Sequence, residues 1–258
     1  TPGVETTTGP LGQGISNAVG MAIAEKVLAT KFNTKMHKVI DHMTYVFTGD
    51  GCLMEGISHE ACSLAGTLGL GKLVVLYDDN NISIDGEVDG WFTEDIPARF
   101  KSYGWEVISD VNGHDPDEIN TAIEKAKTSQ NKPTLICCKT LIGKGSPNKE
   151  GKASTHGSPL GEEEIADMRK DLNWDNEPFD IPANVYEVWD AKEQGSSKEE
   201  EWNQLFNQYQ KDNEELASEL RRIMNGDLPE GVSEAIYGFV DDVQKDLPNI
   251  ATRVSSQR

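Results

Sequence analysis

Asp50 and Asn80 are the residues of this chain best suited to chemistry. Asp50 follows Met43-Thr44-Tyr45-Val46-Phe47-Thr48 and stands inside Gly49-Asp50-Gly51; Asn80 follows Leu73-Val74-Val75-Leu76-Tyr77 and stands inside Asp78-Asp79-Asn80-Asn81. β-Branched and aromatic runs of this kind read as strands. A carboxylate and an amide are thus each delivered to the C-terminal end of a strand, the edge at which open α/β sheets bind ligands. One carboxylate and one amide oxygen are about what Mg²⁺ takes from a protein when phosphate oxygens and water complete a near-octahedral shell. More carboxylates would repel the phosphate. Gly49 and Gly51 carry no Cβ, so main-chain N–H groups can approach an anion at the start of the helix that follows. The irregular loop Asn81-Ile82-Ser83-Ile84-Asp85-Gly86 offers a main-chain carbonyl to the same ion.

The flanking elements set these two turns beside each other. Gly56 to Leu68 reads as a helix between the two strands. Trp91 and Phe92 anchor a further helix over Thr93 to Ser102, and Trp105-Glu106-Val107-Ile108 reads as a strand. Asp117 to Ser129 reads as an amphipathic helix and Pro133-Thr134-Leu135-Ile136-Cys137-Cys138 as a strand. Strands alternating with helices predict an α/β fold, a doubly wound and mostly parallel sheet flanked by helices. Upstream, the small apolar residues of Ile15 to Ala24 predict a deeply buried helix. The composition turns acidic at Gly161. From Glu187 to Met224, apolar residues including Trp189, Trp202, Phe206, Tyr209 and Leu220 recur at helical spacing, which predicts packed surface helices and a C-terminal helical extension. The expected segments are an α/β domain over 1–160, an acidic helical extension over 161–248, and a short end over 249–258.

Composition narrows the classes of function. A chain of 258 residues buries a substantial core. Its net charge of −20 argues against nucleic acid, which demands clustered Lys and Arg. No run is apolar enough to span a bilayer and no signal peptide is evident, so an intracellular, soluble protein is expected. Cys52, Cys62, Cys137 and Cys138 lack zinc spacing and read as reduced thiols. Gly66-Thr67-Leu68-Gly69-Leu70-Gly71-Lys72 imitates a phosphate-binding loop, but Leu73 replaces the required Ser or Thr and the loop precedes a strand instead of following one. His37, His42, His59 and His114 are expected to pack or cap.

Gly49-Asp50-Gly51, Glu55-Gly56 and Asn80-Asn81 together resemble the thiamine diphosphate motif. The chain from Thr7-Thr8-Gly9-Pro10-Leu11-Gly12-Gln13-Gly14 to Thr155-His156-Gly157 resembles transketolase. The resemblance implies that Asp50, Asn80 and the carbonyl of Ile82 hold Mg²⁺ or Ca²⁺, and that Gly51 meets the diphosphate. It implies that Gly9 and Leu11 line the thiamine rings and that Ile142 walls the pocket. His156 would stand against the diphosphate and the substrate hydroxyl, as donor or proton carrier. Glu55 and Glu60 would lie at a subunit contact.

The activity so implied is transfer of a two-carbon ketol unit from a ketose phosphate to an aldose phosphate, in the pentose phosphate pathway, with the cofactor as electron sink. The enzyme would be a cytoplasmic homodimer joined through its cofactor domain. The glutamate that protonates the aminopyrimidine would come from the second domain of a partner subunit, and side chains to grip a sugar phosphate are not evident in this chain. The chain opens on Thr1 without an initiator Met, and Asn249-Ile250-Ala251-Thr252-Arg253 resembles the threshold of that second domain. It therefore reads as a piece lacking its N-terminal portion and later domains, inactive alone. The alternatives are a non-catalytic cofactor-binding module, a subunit of a split enzyme, or another thiamine enzyme such as a deoxyxylulose phosphate synthase or a phosphoketolase. Gly56-Ile57-Ser58-His59-Glu60 and Ile84-Asp85-Gly86 lean toward transketolase.

Overall fold

Among the described residues four strands form one parallel sheet. In the computed structural model, which describes residues 3–246 and 248–257, α1 (Gln13–Phe32) leads to β1 (Thr44–Gly49), α2 (Asp50–Met54), α3 (Gly56–Leu68) and β2 (Leu73–Asp79). A small hairpin, β3 (Ile82–Ser83) and β4 (Gly86–Glu87), precedes α4 (Ile96–Ser102), β5 (Glu106–Asn112), α5 (Pro116–Lys127) and β6 (Thr134–Lys139). Thr1 and Pro2, at the start of the expected first segment, and Leu247, in the expected extension, lie outside the described residues.

The sheet order is β1-β2-β6-β5, with every neighbouring pair parallel. The central strands are buried from Leu73 to Tyr77 and from Thr134 to Cys138, the continuous apolar runs expected of a parallel sheet covered on both faces. One face packs α1, α3 and α4 through Ile15, Ala22, Ala65 and Phe100, joined by Trp105 just before β5, against Leu73, Val75, Tyr77 and Leu135. The other packs α5 through Ala122 and Ala126 against Val74, Leu76 and Ile136. At the β1 edge this second face leaves Tyr45 and Phe47 exposed, Phe47 by 80%.

Several expectations change in detail. The helix at Ile15 to Ala24 extends to Phe32 and buries one stripe, with Asn17, Gly20 and Ala24 exposed, so it is a covering helix rather than a deeply buried one. The helix expected from Thr93 starts at Ile96, because the Asp95 carboxylate caps it by accepting the Ala98 amide at 2.9 Å. His114 does not cap; Asp115 does, and His114 Nε2 instead accepts the Leu141 amide at 2.8 Å. Trp189 is 83% exposed, against the packed position expected of it.

The loop at Gly66 to Lys72 is shaped by packing. A Cβ on Gly66 would lie 1.8 Å from the Tyr103 carbonyl oxygen, and one on Gly71 would lie 2.3 Å from that of Gln130. Lys72 pairs with Glu25 at 2.8 Å and with Asp41. These close approaches account for the glycines without any phosphate.

The chain divides into two compact units, Thr1–Asn33 with Ile40–Glu193, and Thr34–Val39 with Gln194–Arg258. Beyond β6 the first unit holds α6 (Glu162–Asp171) and α7 (Ala183–Trp189). The second holds α8 (Lys192–Asp212) from Gln194 onward, then α9 (Glu214–Met224), α10 (Val232–Asp246) and α11 (Thr252–Ser255). Within it Trp202 stacks on Phe206 at 5.0 Å and donates to the Val39 carbonyl at 3.0 Å, while His37 meets Tyr209 edge-on and lies 3.3 Å from Asp212. Among the described residues no helix is long and apolar enough to cross a membrane.

Candidate functional site

Asp50 is the last point at which β1 can hand its chain to a helix. Gly49 pairs with Asp78 in the ladder, so Asp50 and the Asp79-Asn80 end of β2 leave adjacent parallel strands at one level. The chain turns at once: Asp50 is the first residue of α2, where an acidic group is favoured by the helix dipole. The sequence places a helix only from Gly56. In the structure a five-residue helix comes first, and Glu55, with extended backbone, separates it from α3.

The Asp50 carboxylate is buried, 4% exposed, and its two oxygens differ. Oδ1 accepts the hydroxyl of Tyr77, itself 3% exposed on β2; Oδ2 is buried without a hydrogen-bond partner. Burial pushes the Asp50 carboxyl above its ordinary range, offset in part by the Tyr77 hydroxyl and less by the Asn81 main-chain N–H, which lies near the carboxylate but outside regular hydrogen-bond geometry. Burial and the adjoining carboxylate likewise raise the Tyr77 hydroxyl, so it remains a donor. A buried carboxylate oxygen without a donor costs free energy unless a cation meets it. Its chemistry therefore fits a divalent metal.

Asn80 is aimed by two contacts. Its Oδ1 accepts the Ile82 amide at 2.9 Å and its Nδ2 donates to Asp78 at 3.1 Å, while Asp78 also accepts the Thr140 hydroxyl. An amide oxygen has a second lone pair to offer. Ile82 is buried in the hairpin, and Asn81 before it sits at φ 62°, the left-handed region Asn tolerates. The turn thus doubles back beside the strand end.

The loop from Gly9 to Gly14 closes on the same place. A Cβ on Gly51 would lie 3.1 Å from Leu11 Cδ1, so Leu11 and Gly51 are neighbours. Gly12, at φ 79°, sits so near the α2–α3 junction that a Cβ would lie 2.9 Å from both Glu55 Cβ and Ile57 Cγ2. Leu11 stays half exposed, and its apolar side chain is open to a ring. Gly9 has nothing within 4 Å of where a Cβ would be. Glu55 at this junction and Glu60 on α3 are both exposed.

His156 lies apart from these contacts. It is exposed at the end of a short 3-10 turn, Ala153–Thr155, and its amide donates to the Ala153 carbonyl at 2.9 Å. Its segment is tied down at the other end. Glu164 of α6 accepts the Ser146 hydroxyl, the Asn148 amide at 2.8 Å and Asn148 Nδ2 at 3.0 Å. The Ser146 hydroxyl first, then the Asn148 groups, lower the Glu164 carboxyl to about 2. The latch therefore holds above the ordinary glutamate range and loosens as pH falls from there toward 2. Glu164→Ala is expected to speed tryptic cleavage after Lys149 or Lys152 roughly 10-fold at neutral pH. Unchanged digestion of that segment would show the latch to be idle.

Three positions escaped the sequence reading. Tyr77 reads only as the last apolar residue of a strand, although its face of β2 points to the Asp50 turn. Arg99 donates to the Leu53 carbonyl at 3.0 Å, clamping the end of the helix that Asp50 begins. It also donates to His59 Nε2 at 3.2 Å; arginine cannot accept, so His59 Nδ1 carries the proton and donates to Tyr103 Oη at 2.9 Å. Asp110 sits at φ 59° where the β5 ladder slips between Ile108 and Val111, a bulge that turns it to the strand-end cavity. That cavity, of about 190 Å³, is lined by Asp50, Tyr77, Asp79, Asn81, Asp110 and Lys139 among others, and Lys139 pairs with Asp79 at 2.5 Å. None of these links is local in sequence.

Along most of its length the chain is similar to known proteins. The family described as transketolase, thiamine diphosphate binding domain, matches residues 1–229. Transketolase 2 of Vibrio parahaemolyticus and transketolase 1 of Aliivibrio fischeri are each 60% identical over 256 residues, 99% of this chain. The chain spans 38% of the length of either relative. Transketolase from Leishmania mexicana superimposes with a TM-score of 0.86 at 44% identity, over 90% of this chain and 35% of that one. Pichia stipitis transketolase, in complex with sedoheptulose 7-phosphate, gives 0.85 at 44% identity over 89% and 34%. With a parallel strand-end site, a glycine turn bearing a buried acid, and a family match across most of its length, the chain belongs to the transketolase thiamine diphosphate-binding domain family.

Proposed function

We propose that this chain supplies the diphosphate and metal site of a transketolase, an enzyme that moves a two-carbon ketol group from a ketose phosphate to an aldose phosphate. The observation that carries the reading is the buried, unpartnered Oδ2 of Asp50 at a glycine turn one strand away from Asn80. Asp50, Asn80 and the carbonyl of Ile82 are the residues to hold Mg²⁺, or Ca²⁺ in its place; Gly51 leaves room for the diphosphate. Leu11, lying against Gly51, offers the apolar contact for the rings, and Gly9 of the same loop offers its backbone. Bound there, thiamine diphosphate supplies an electron sink for breaking a carbon–carbon bond. The chain's own residues then position and shield: the metal ligands fix the diphosphate, Leu11 excludes water, and His156 donates to or carries a proton from the substrate hydroxyl.

The intact enzyme is read as a cytoplasmic homodimer contacting through this domain, near Glu55 and Glu60, with sugar phosphates as substrates and the second domain of a partner subunit completing each site. Titrating thiamine diphosphate into the chain with and without Mg²⁺ tests the cofactor reading. Binding that requires the metal is expected. Equal binding in EDTA, or no binding in either, would sink it.

A further inference from the structure

We propose that Tyr77 is a positioning residue for the cation: its hydroxyl takes one oxygen of Asp50 and leaves the carboxylate only Oδ2 as a single-oxygen ligand. The inference rests on the assignment of Asp50 to the metal. Tyr77 belongs to the core cluster and is 3% exposed, so its ring is held by packing on the central strand β2. Its hydroxyl donates to Oδ1 across 27 residues of sequence. Oδ2 is left buried and unpartnered. The two oxygens thus face different tasks, one filled from within the fold and one open to an ion.

That division bears on which ion fits. Mg²⁺ requires short, near-octahedral bonds, whereas Ca²⁺ takes six to eight oxygens and accepts carboxylates through one or both. Oδ1 keeps a second lone pair, but the buried Tyr77 hydroxyl fixes how the Asp50 carboxylate is turned, so bringing both oxygens onto one ion would bend or break that bond. Tyr77 therefore tilts the site toward the smaller ion. Partners that orient a metal ligand in this way typically change affinity 10- to 100-fold when removed.

The test uses the full chain and Tyr77→Phe, which keeps the ring and removes the hydroxyl. Mg²⁺ and Ca²⁺ are titrated calorimetrically, each with thiamine diphosphate present, and again alone by displacement of Mn²⁺ followed by paramagnetic resonance. Mg²⁺ affinity is expected to fall about 10- to 100-fold, and Ca²⁺ affinity by less, so that the preference for Mg²⁺ shrinks. A variant that melts at lower temperature but keeps the same Mg²⁺ to Ca²⁺ ratio assigns Tyr77 a purely structural role and overturns the inference.

Should Tyr77→Phe not fold, infrared difference spectra of the unmodified chain against Asp50→Asn still decide. A wide separation of the antisymmetric and symmetric carboxylate stretches marks one-oxygen coordination and is expected with Mg²⁺ and Ca²⁺ alike. A narrow one overturns the inference. An unmodified chain that binds neither ion overturns the assignment of Asp50 as well, so the two failures are distinct.

Discussion

Asp50→Asn is expected to weaken Mg²⁺-dependent binding of thiamine diphosphate by about 100-fold or more while making the metal-free chain more stable. The first effect follows from removing the one carboxylate among the proposed ligands, a larger loss than that of a supporting partner. The second follows from burial. Asp50 is 4% exposed with one oxygen unpartnered, and its carboxyl is held above the ordinary carboxylate range chiefly by burial. A raised acid favours the folded state below its unfolded value and loses that advantage as pH rises through its folded value. The metal-free chain should therefore lose stability across that interval, and Asp50→Asn should not. At neutral pH the variant is expected to melt about 2–4 °C higher. Thermal melts of both proteins in EDTA across pH check this, and parallel melting curves would refute it. For the metal ligand proposed here, an acid kept at a cost in stability would be the usual trade between fold and function.

Phe100→Ala carries the largest expected effect on folding. Phe100 is 1% exposed, meets Trp105 edge-on at 5.0 Å and Tyr103 at 5.7 Å, and lies under the Arg99 guanidinium at 5.5 Å. Truncation empties a site bounded by strands and helix on all sides, so collapse is limited and the cost is about 3–5 kcal/mol. Against a net stability of about 5–15 kcal/mol this is a large share. The melting temperature should fall by roughly 10 °C. Arg99, on the same turn of α4, should then lose its grip on the Leu53 carbonyl, and with it the set of the helix that begins at Asp50. Calorimetry measures the first effect, and amide exchange at the end of α2 the second; a drop of less than a couple of degrees would show the site to be plastic.

The sheet was legible because its central strands β2 and β6 are uninterrupted apolar runs, the pattern of parallel strands covered on both faces. Asp50 and Asn80 stood out because their residue types suit one chemistry, and what the ladder adds is that their strand ends lie at one level. Tyr77 was not, since nothing local distinguishes a core tyrosine from one whose hydroxyl reaches a turn 27 residues earlier. The division of the helix into α2 and α3 was hidden because Asp50 to Met54 is too short to show a period. The composition shifts at Gly161, whereas compactness divides the chain after Glu193; α6 is acidic, yet Glu164 turns inward to hold the loop before His156, and charge alone does not report which way a side chain faces. The glycines at 66 and 71 imitated a nucleotide motif for a reason only tertiary contact supplies.

The rim of the sheet at β1 has a practical side. Among the described residues no strand pairs with the outer flank of Thr44 to Gly49, and beside it stand Tyr45 and Phe47, the latter four-fifths open to water. Unsatisfied main-chain groups next to exposed aromatics form a template for other molecules to join. Against this works the surplus of twenty negative charges, which keeps copies apart in dilute buffer. Salt shortens the reach of that repulsion to about 8 Å at physiological strength and leaves the adhesive flank untouched. Solubility here is thus a contest between a local stickiness and a global charge, decided by the ionic medium.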